Sequence, residues 1–108
     1  MKILKNSRIV YNVTTQIDIA YAAEWMEWMK EEHLPAVLAT GCFIDAAIFR
    51  LLEVDDSLSH TYAVQYYAAD KQAYEAYISA HADALRQQTV QKWEGKMVAF
   101  RSVLQLQA

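Results

Sequence analysis

The stretch RIVYNVTTQIDIAYAAEWMEWMKEEH, residues 8–33, changes its hydrophobic period once, and that change decides the fold. From Arg8 to Ile17 the side chains alternate. Ile9, Tyr11, Val13 and Ile17 fall on one face, and Asn12, Thr14 and Gln16 on the other. This is the period of two that a half-buried strand requires. Asp18 follows with a carboxylate suited to the free N–H groups of a helix start. At 100° per residue, Ala22, Trp25, Met26, Met29 and His33 gather on one side of the next segment, while Glu24, Glu27, Lys30 and Glu31 gather on the other. That is an amphipathic helix.

The rest of the chain repeats the pattern. Pro35 cannot donate to the preceding turn, so the helix should kink or end there, with Gly41 as its stop. Cys42 to Val54 is apolar on both parities apart from Asp45, Arg50 and Glu53. It reads as a long strand with both faces largely covered. Asp55-Asp56-Ser57 is a turn signal. His60 to Ala68 alternates again, with Tyr62, Val64 and Tyr66 against Thr61, Ala63, Gln65 and Tyr67, so the two strands form a hairpin. Asp70 caps a second helix that runs to Gly95. Tyr74, Tyr77, Ile78, His81 and Leu85 share one face of it, and Asp83, Arg86 and Gln87 lie away. Lys96 to Leu106 is a last strand, with Val98, Phe100, Leu104 and Leu106 opposite Met97, Ala99, Arg101 and Val103.

The order βαββαβ is the ferredoxin-like arrangement, an α+β fold with two helices on one face of a four-stranded antiparallel sheet. One domain should span residues 1–108, with 1–7 as a loosely held start. The second sheet face is expected to carry Val10, Ala63, Tyr67, Met97, Ala99 and Val103 beside Asn12, Thr14, Gln65 and Arg101. A face wetted by solvent would be cleanly polar. This mixed one points to burial against another copy, a homodimer through the sheet face that forms a dimeric α/β barrel.

Composition bounds the function. Apolar residues make up 55% of the 108, with three Trp, seven Tyr and three Phe, enough for a core without a metal or disulfide staple. The net charge of −3 and the absence of a basic run argue against nucleic acid as a partner. No apolar run approaches the ~18 residues of a membrane span. Cys42 is alone, which suits a reducing compartment. With no secretory leader legible at the start, the expected location is cytoplasmic.

No Gly-rich phosphate loop, paired Cys motif, His-Glu-x-x-His or nucleophile elbow is present. The candidates are therefore positional. His33 and His81 each sit on the apolar face of a helix, where an imidazole works as a general base or is held as a core residue. Trp25 and Met29 can floor a pocket for a planar ligand or simply fill the core. Tyr11, Tyr62, Tyr66, Tyr74 and Tyr77 bring hydroxyls that need partners when buried. Arg101, placed on the second face with Asn12, Thr14 and Gln65, would hold an anionic group in a dimer cavity or fix the dimer register. Cys42 has no neighbouring base and reads as structural. Two His without a third ligand do not make a metal site, and no cofactor is called for.

The segment WMEWMKEEHLPAVLATGCF, residues 25–43, resembles an uncharacterised bacterial family, the domain of unknown function 4286. RIVYNVT at 8–14, TYAVQYY at 61–67 and MVAFRSVL at 97–104 extend the resemblance to about residues 8–104. It implies a dimeric α/β barrel and carries over no catalytic residue. Two functions then compete. One is a small-molecule binding protein or cofactor-independent enzyme, with a His as proton shuttle on a planar or enolisable substrate. The other is a non-catalytic dimeric regulatory or scaffolding module. The first predicts a partly wet cavity around the imidazoles, and the second a filled core with both His satisfied by protein atoms.

Overall fold

The computed structural model describes residues 6–108. Strands β1 (Ile9–Asp18), β2 (Asp45–Arg50), β3 (Ser59–Ala68) and β4 (Met97–Gln105) form one antiparallel sheet in the order β2-β3-β1-β4. Helices α1 (Ala22–Trp28) and α2 (Leu34–Leu38) follow β1, and α3 (Lys71–Ala80) and α4 (Ala82–Trp93) follow β3. All pack on one sheet face, and the sheet does not close on itself. This is the expected ferredoxin-like architecture. The start expected at 1–7 lies mostly outside the described residues. Ser7, inside them, is buried, and its hydroxyl donates to the Ala68 carbonyl at 3.1 Å.

The first helical layer is one path with an irregular middle. The Asp18 carboxylate accepts from the Ala20 N–H at 2.8 Å and opens a short 3₁₀ turn, Ile19–Tyr21. Between α1 and α2, Met29–His33 widens to a π turn, with the Leu34 N–H donating to the Met29 carbonyl five residues back. Pro35 is the physical reason. It has no N–H for the carbonyl four residues earlier, and its ring would crowd that carbonyl in a regular helix. Pro35 therefore sits in the first turn of α2, where its missing donor costs nothing. The path ends at Gly41, whose φ of 78° is left-handed and free of strain only for glycine.

Three expectations need correction. β2 is shorter than Cys42–Val54 and lies at the sheet edge, paired only with β3. Residues 51–58 are instead an exposed connection in which Leu52 is 76% and Leu58 81% accessible. An apolar run is read as a covered strand whether or not a partner strand exists, and here none does. The second helix is not continuous. His81, at φ −129° and ψ −29°, separates α3 from α4 and resets the helical phase. Ala82, Leu85 and Trp93 become the buried side of α4, and Arg86 turns inward.

The third correction concerns β4. Cross-strand partners share a face, and Val13 pairs with Arg101, Thr15 with Ala99, and Ile17 with Met97. Met97, Ala99, Arg101 and Val103 therefore belong to the helix-covered side. Val98, Phe100, Ser102 and Leu104 occupy the open face with Asn12, Thr14 and Gln65. Val98 and Phe100 are 67% and 64% accessible there. The two parities of β4 were separated correctly and assigned to the wrong sides.

The core lies between sheet and helices. Tyr11, Ile17, Val64 and Tyr66 rise from the strands to meet Trp25, Met29 and Val37 from the first helical layer, and Tyr77, Leu85 and Trp93 from the second. No helix among the described residues is long and apolar enough to cross a membrane. The α3 cap is a clean test of local stabilisation, because the Asp70 carboxylate accepts from the Ala73 N–H at 2.8 Å on the surface. Asp70→Ala is expected to lower unfolding free energy by about 1 kcal/mol and Asp70→Asn by much less, read from denaturant midpoints.

Candidate functional site

A cavity of about 50 Å³ lies between the sheet and the helices, with room for a few waters. Its sheet wall is Tyr11, Val13 and Thr15 of β1, Val64 and Tyr66 of β3, and Met97, Ala99 and Arg101 of β4. Trp25, Met29 and His33 close it from the first helical layer, and Tyr77, Arg86 and Thr89 from the second.

Tyr11 is the centre. Its ring lies 5.8 Å from Tyr66, 5.6 Å from Tyr74 and 5.8 Å from Tyr77, centroid to centroid. These are normal spacings for tilted aromatic pairs. Its hydroxyl oxygen accepts from Arg86 Nη2 and from Arg101 Nε, both at 3.0 Å. Helix α4 and the edge strand β4 are thereby tied to one atom of a central strand. Burial pushes the Tyr77 phenol up to about 12, with Tyr11 adding to the effect. Burial also raises Tyr66, further than Tyr77. Both are neutral hydroxyls at physiological pH.

His33 owes its position to the π turn. A wide turn brings residues five apart onto one face, and the His33 ring stacks on Trp28 at 4.9 Å and 22°. Trp28 in turn meets Trp93 edge to face at 5.8 Å. His33 also borders a surface groove formed by Trp28, Glu32, Gln88 and Lys92, so the imidazole stands between the interior cavity and the outside. Desolvation pulls it down from 6.5 to about 4, which leaves the ring neutral.

The cavity lining carries three buried polar atoms without a protein partner: Trp25 Nε1, His33 Nδ1 and Arg86 Nε. Buried donors and acceptors are almost always paired, because each unpaired one costs about 1–3 kcal/mol. Their concentration around one space marks it as a place for water or ligand rather than filled core.

The structure brings together only some of the residues picked out by sequence. Trp25, Met29, His33, Tyr66 and Arg101 line the cavity. Tyr62 stacks on Trp25 at 5.0 Å, and its hydroxyl lies 3.4 Å from His60 Nδ1. Tyr74 supports Tyr11 from behind. His81 occupies the α3–α4 junction, 6.4 Å from the Tyr77 ring and outside the cavity lining, so the two imidazoles share no space. Arg101 was expected on the open face and instead points into the cavity. Arg86, Thr15 and Thr89 were not singled out for the site. Helical phase hid Arg86, because an unbroken helix from Asp70 would turn it outward. Among the described residues no three His, Cys, Asp or Glu side chains are grouped as metal ligands.

With the geometry established, comparison with known proteins places the molecule. A Streptomyces coelicolor monooxygenase from the gene ActVA-Orf6, solved in complex with Nanaomycin D, has a TM-score of 0.66 at 11% identity, over 100% of this chain and 96% of that one. SnoaB, a cofactor-independent oxygenase from Streptomyces nogalater, has a TM-score of 0.63 at 14% identity, over 94% and 96%. A dimeric ferredoxin-like protein from an uncultured marine organism has a TM-score of 0.63 at 13% identity, over 94% and 97%. The chain is thus a ferredoxin-like α+β protein that shares its fold with these solved structures. It belongs to the family Domain of unknown function (DUF4286), whose model matches residues 8–107. No protein of curated function matches its sequence.

The His33 environment predicts a pH dependence. Between pH 6.5 and about 4 the unfolded chain binds a proton at this residue that the folded chain refuses. Stability from this residue is therefore fully present above 6.5 and falls as pH drops toward 4, by up to about 3 kcal/mol. Denaturant melts from pH 7.5 to 4 should show His33→Gln losing less stability over that interval than the wild type.

Proposed function

We propose that the protein acts as a homodimer that binds a small planar molecule between its helices and sheet, and moves a proton through His33 without a bound cofactor. The observation that carries this reading is the cavity whose lining leaves Trp25 Nε1, His33 Nδ1 and Arg86 Nε unpaired. A neutral imidazole with a free buried nitrogen can take a proton from a bound substrate and hand it toward the groove on its other side. The walls are aromatic, with Trp25, Tyr66 and Tyr77, and suit a flat apolar body once helices and sheet move apart, because about 50 Å³ holds only a few waters. The fold shared with SnoaB, described as a cofactor-independent oxygenase, is compatible with the reading and specifies no substrate.

The open sheet face supports the dimer. Phe49, Val98, Phe100 and Leu104 are all between 45% and 67% accessible on one side of a single sheet. Large apolar side chains exposed on one sheet face in this way are typical of interfaces. Two ferredoxin-like relatives are themselves described as dimeric. The competing regulatory or scaffolding module draws on a different feature, the exposed Leu52 and Leu58 in the connection between β2 and β3.

Two experiments test the reading. His33→Leu is expected to keep or raise the melting temperature, because a group held for function commonly costs stability. Marked destabilisation would make His33 a structural residue and end its role as proton carrier. Phe100→Glu should convert a dimer to a monomer in light scattering, with the fold retained by circular dichroism. A wild-type monomer at micromolar concentration would remove the dimer.

A further inference from the structure

We infer that Arg86 and Arg101 form an anion-binding subsite on the solvent-accessible side of the cavity, which selects a planar organic acid, a carboxylate or an ionised enol, as the ligand. This rests on the small-molecule reading above and names the class of molecule.

Like charges normally keep apart, or a carboxylate sits between them. Here two guanidinium groups from distant parts of the chain converge on the uncharged hydroxyl of Tyr11, at 3.0 Å each. No Asp or Glu lines the cavity. Neither arginine makes an ion pair among the described residues. Asp83, which acts on Arg86 electrostatically, lies on its solvent side in a separate surface groove. The pair is therefore short of a counter-ion on the cavity side.

Hydrogen-bond accounting points the same way. A phenol oxygen has two lone pairs and one hydrogen. Both lone pairs of Tyr11 are taken by the arginines, so its own hydrogen is left to donate. Arg86 Nε is buried without a partner, and each guanidinium has further N–H groups beyond the one given to Tyr11. Trp25 Nε1 is a donor only and is also unpaired. The cavity therefore offers donors at Arg86, Arg101, Tyr11 and Trp25. What it lacks is a matched acceptor with negative charge. Planar guanidinium forks favour a planar oxyanion, and the aromatic walls favour an unsaturated body attached to it.

The test uses benzoate and benzamide, which share shape and differ in charge, titrated against the intact protein with Trp fluorescence and amide NMR shifts as readouts. Benzoate should bind wild type at least about tenfold more tightly than benzamide. Arg86→Gln and Arg101→Gln should each reduce the preference to about threefold or less while leaving benzamide affinity in place. Without ligand each variant loses one hydrogen bond to Tyr11, so it should melt no higher than the wild type while keeping its fold by amide NMR. Equal binding of the two compounds overturns the anion subsite and leaves a neutral small-molecule cavity standing. A preference that survives both substitutions overturns it as well, because the charge would then be read elsewhere. Inorganic phosphate, tetrahedral and without an apolar body, should bind more weakly than benzoate. If it matches benzoate, the selection of a planar organic acid is wrong. Failure of both aromatic probes to bind removes the cavity reading itself, and the subsite with it.

Discussion

Two arginines held on one phenol oxygen organise the interior. Tyr11 sits in a central strand, Arg86 on the last helix and Arg101 on an edge strand, 75 and 90 residues away along the chain. Each hydrogen bond closes a long loop, so the three elements are fixed relative to one another only once the sheet and the second helical layer have assembled. The Tyr11 ring, packed among Tyr66, Tyr74 and Tyr77, supplies the rigidity that keeps its hydroxyl in place.

Across the cavity, Pro35 does a comparable job by subtraction. Its missing N–H makes the preceding turn widen. The wide turn in turn brings His33 onto Trp28, at the boundary between the interior and a surface groove. One backbone donor removed from a helix thus places the only imidazole that lines the cavity. π turns of this kind are frequently found at functional sites, and here the link from sequence to site is short. The low proton affinity of His33 follows from that position, because the ring is desolvated.

The fold was largely legible in the chain because periodicity is a local property. Alternation in Arg8–Ile17 and His60–Ala68, and the helical repeat after Asp18 and Asp70, marked elements that the structure contains within a residue or two. β4 was harder for a physical reason. In a sheet with one covered face the larger apolar residues normally mark the inside. Here the covered face of β4 lines the cavity and carries Ala99 and Arg101, while the open face carries Val98 and Phe100. The hydrophobic contrast was inverted at β4, one of the three strands that line the cavity. β2 misled in a related way, since apolar residues from Leu51 to Val54 lie exposed beyond a short edge strand.

By itself the sequence determined the order of strands and helical segments, the capping residues, the irregularity before Pro35 and the aromatic stock of the core. These depend on neighbours within one or two turns of chain. Tertiary structure alone decided that Arg86 and Arg101 face the same atom, that His33 lines the cavity, and that His81 does not. The direction of a side chain on β4 depends on its register against β1, and that of Arg86 on the break at His81. Register and helical phase are set by packing between distant segments, which no local pattern encodes.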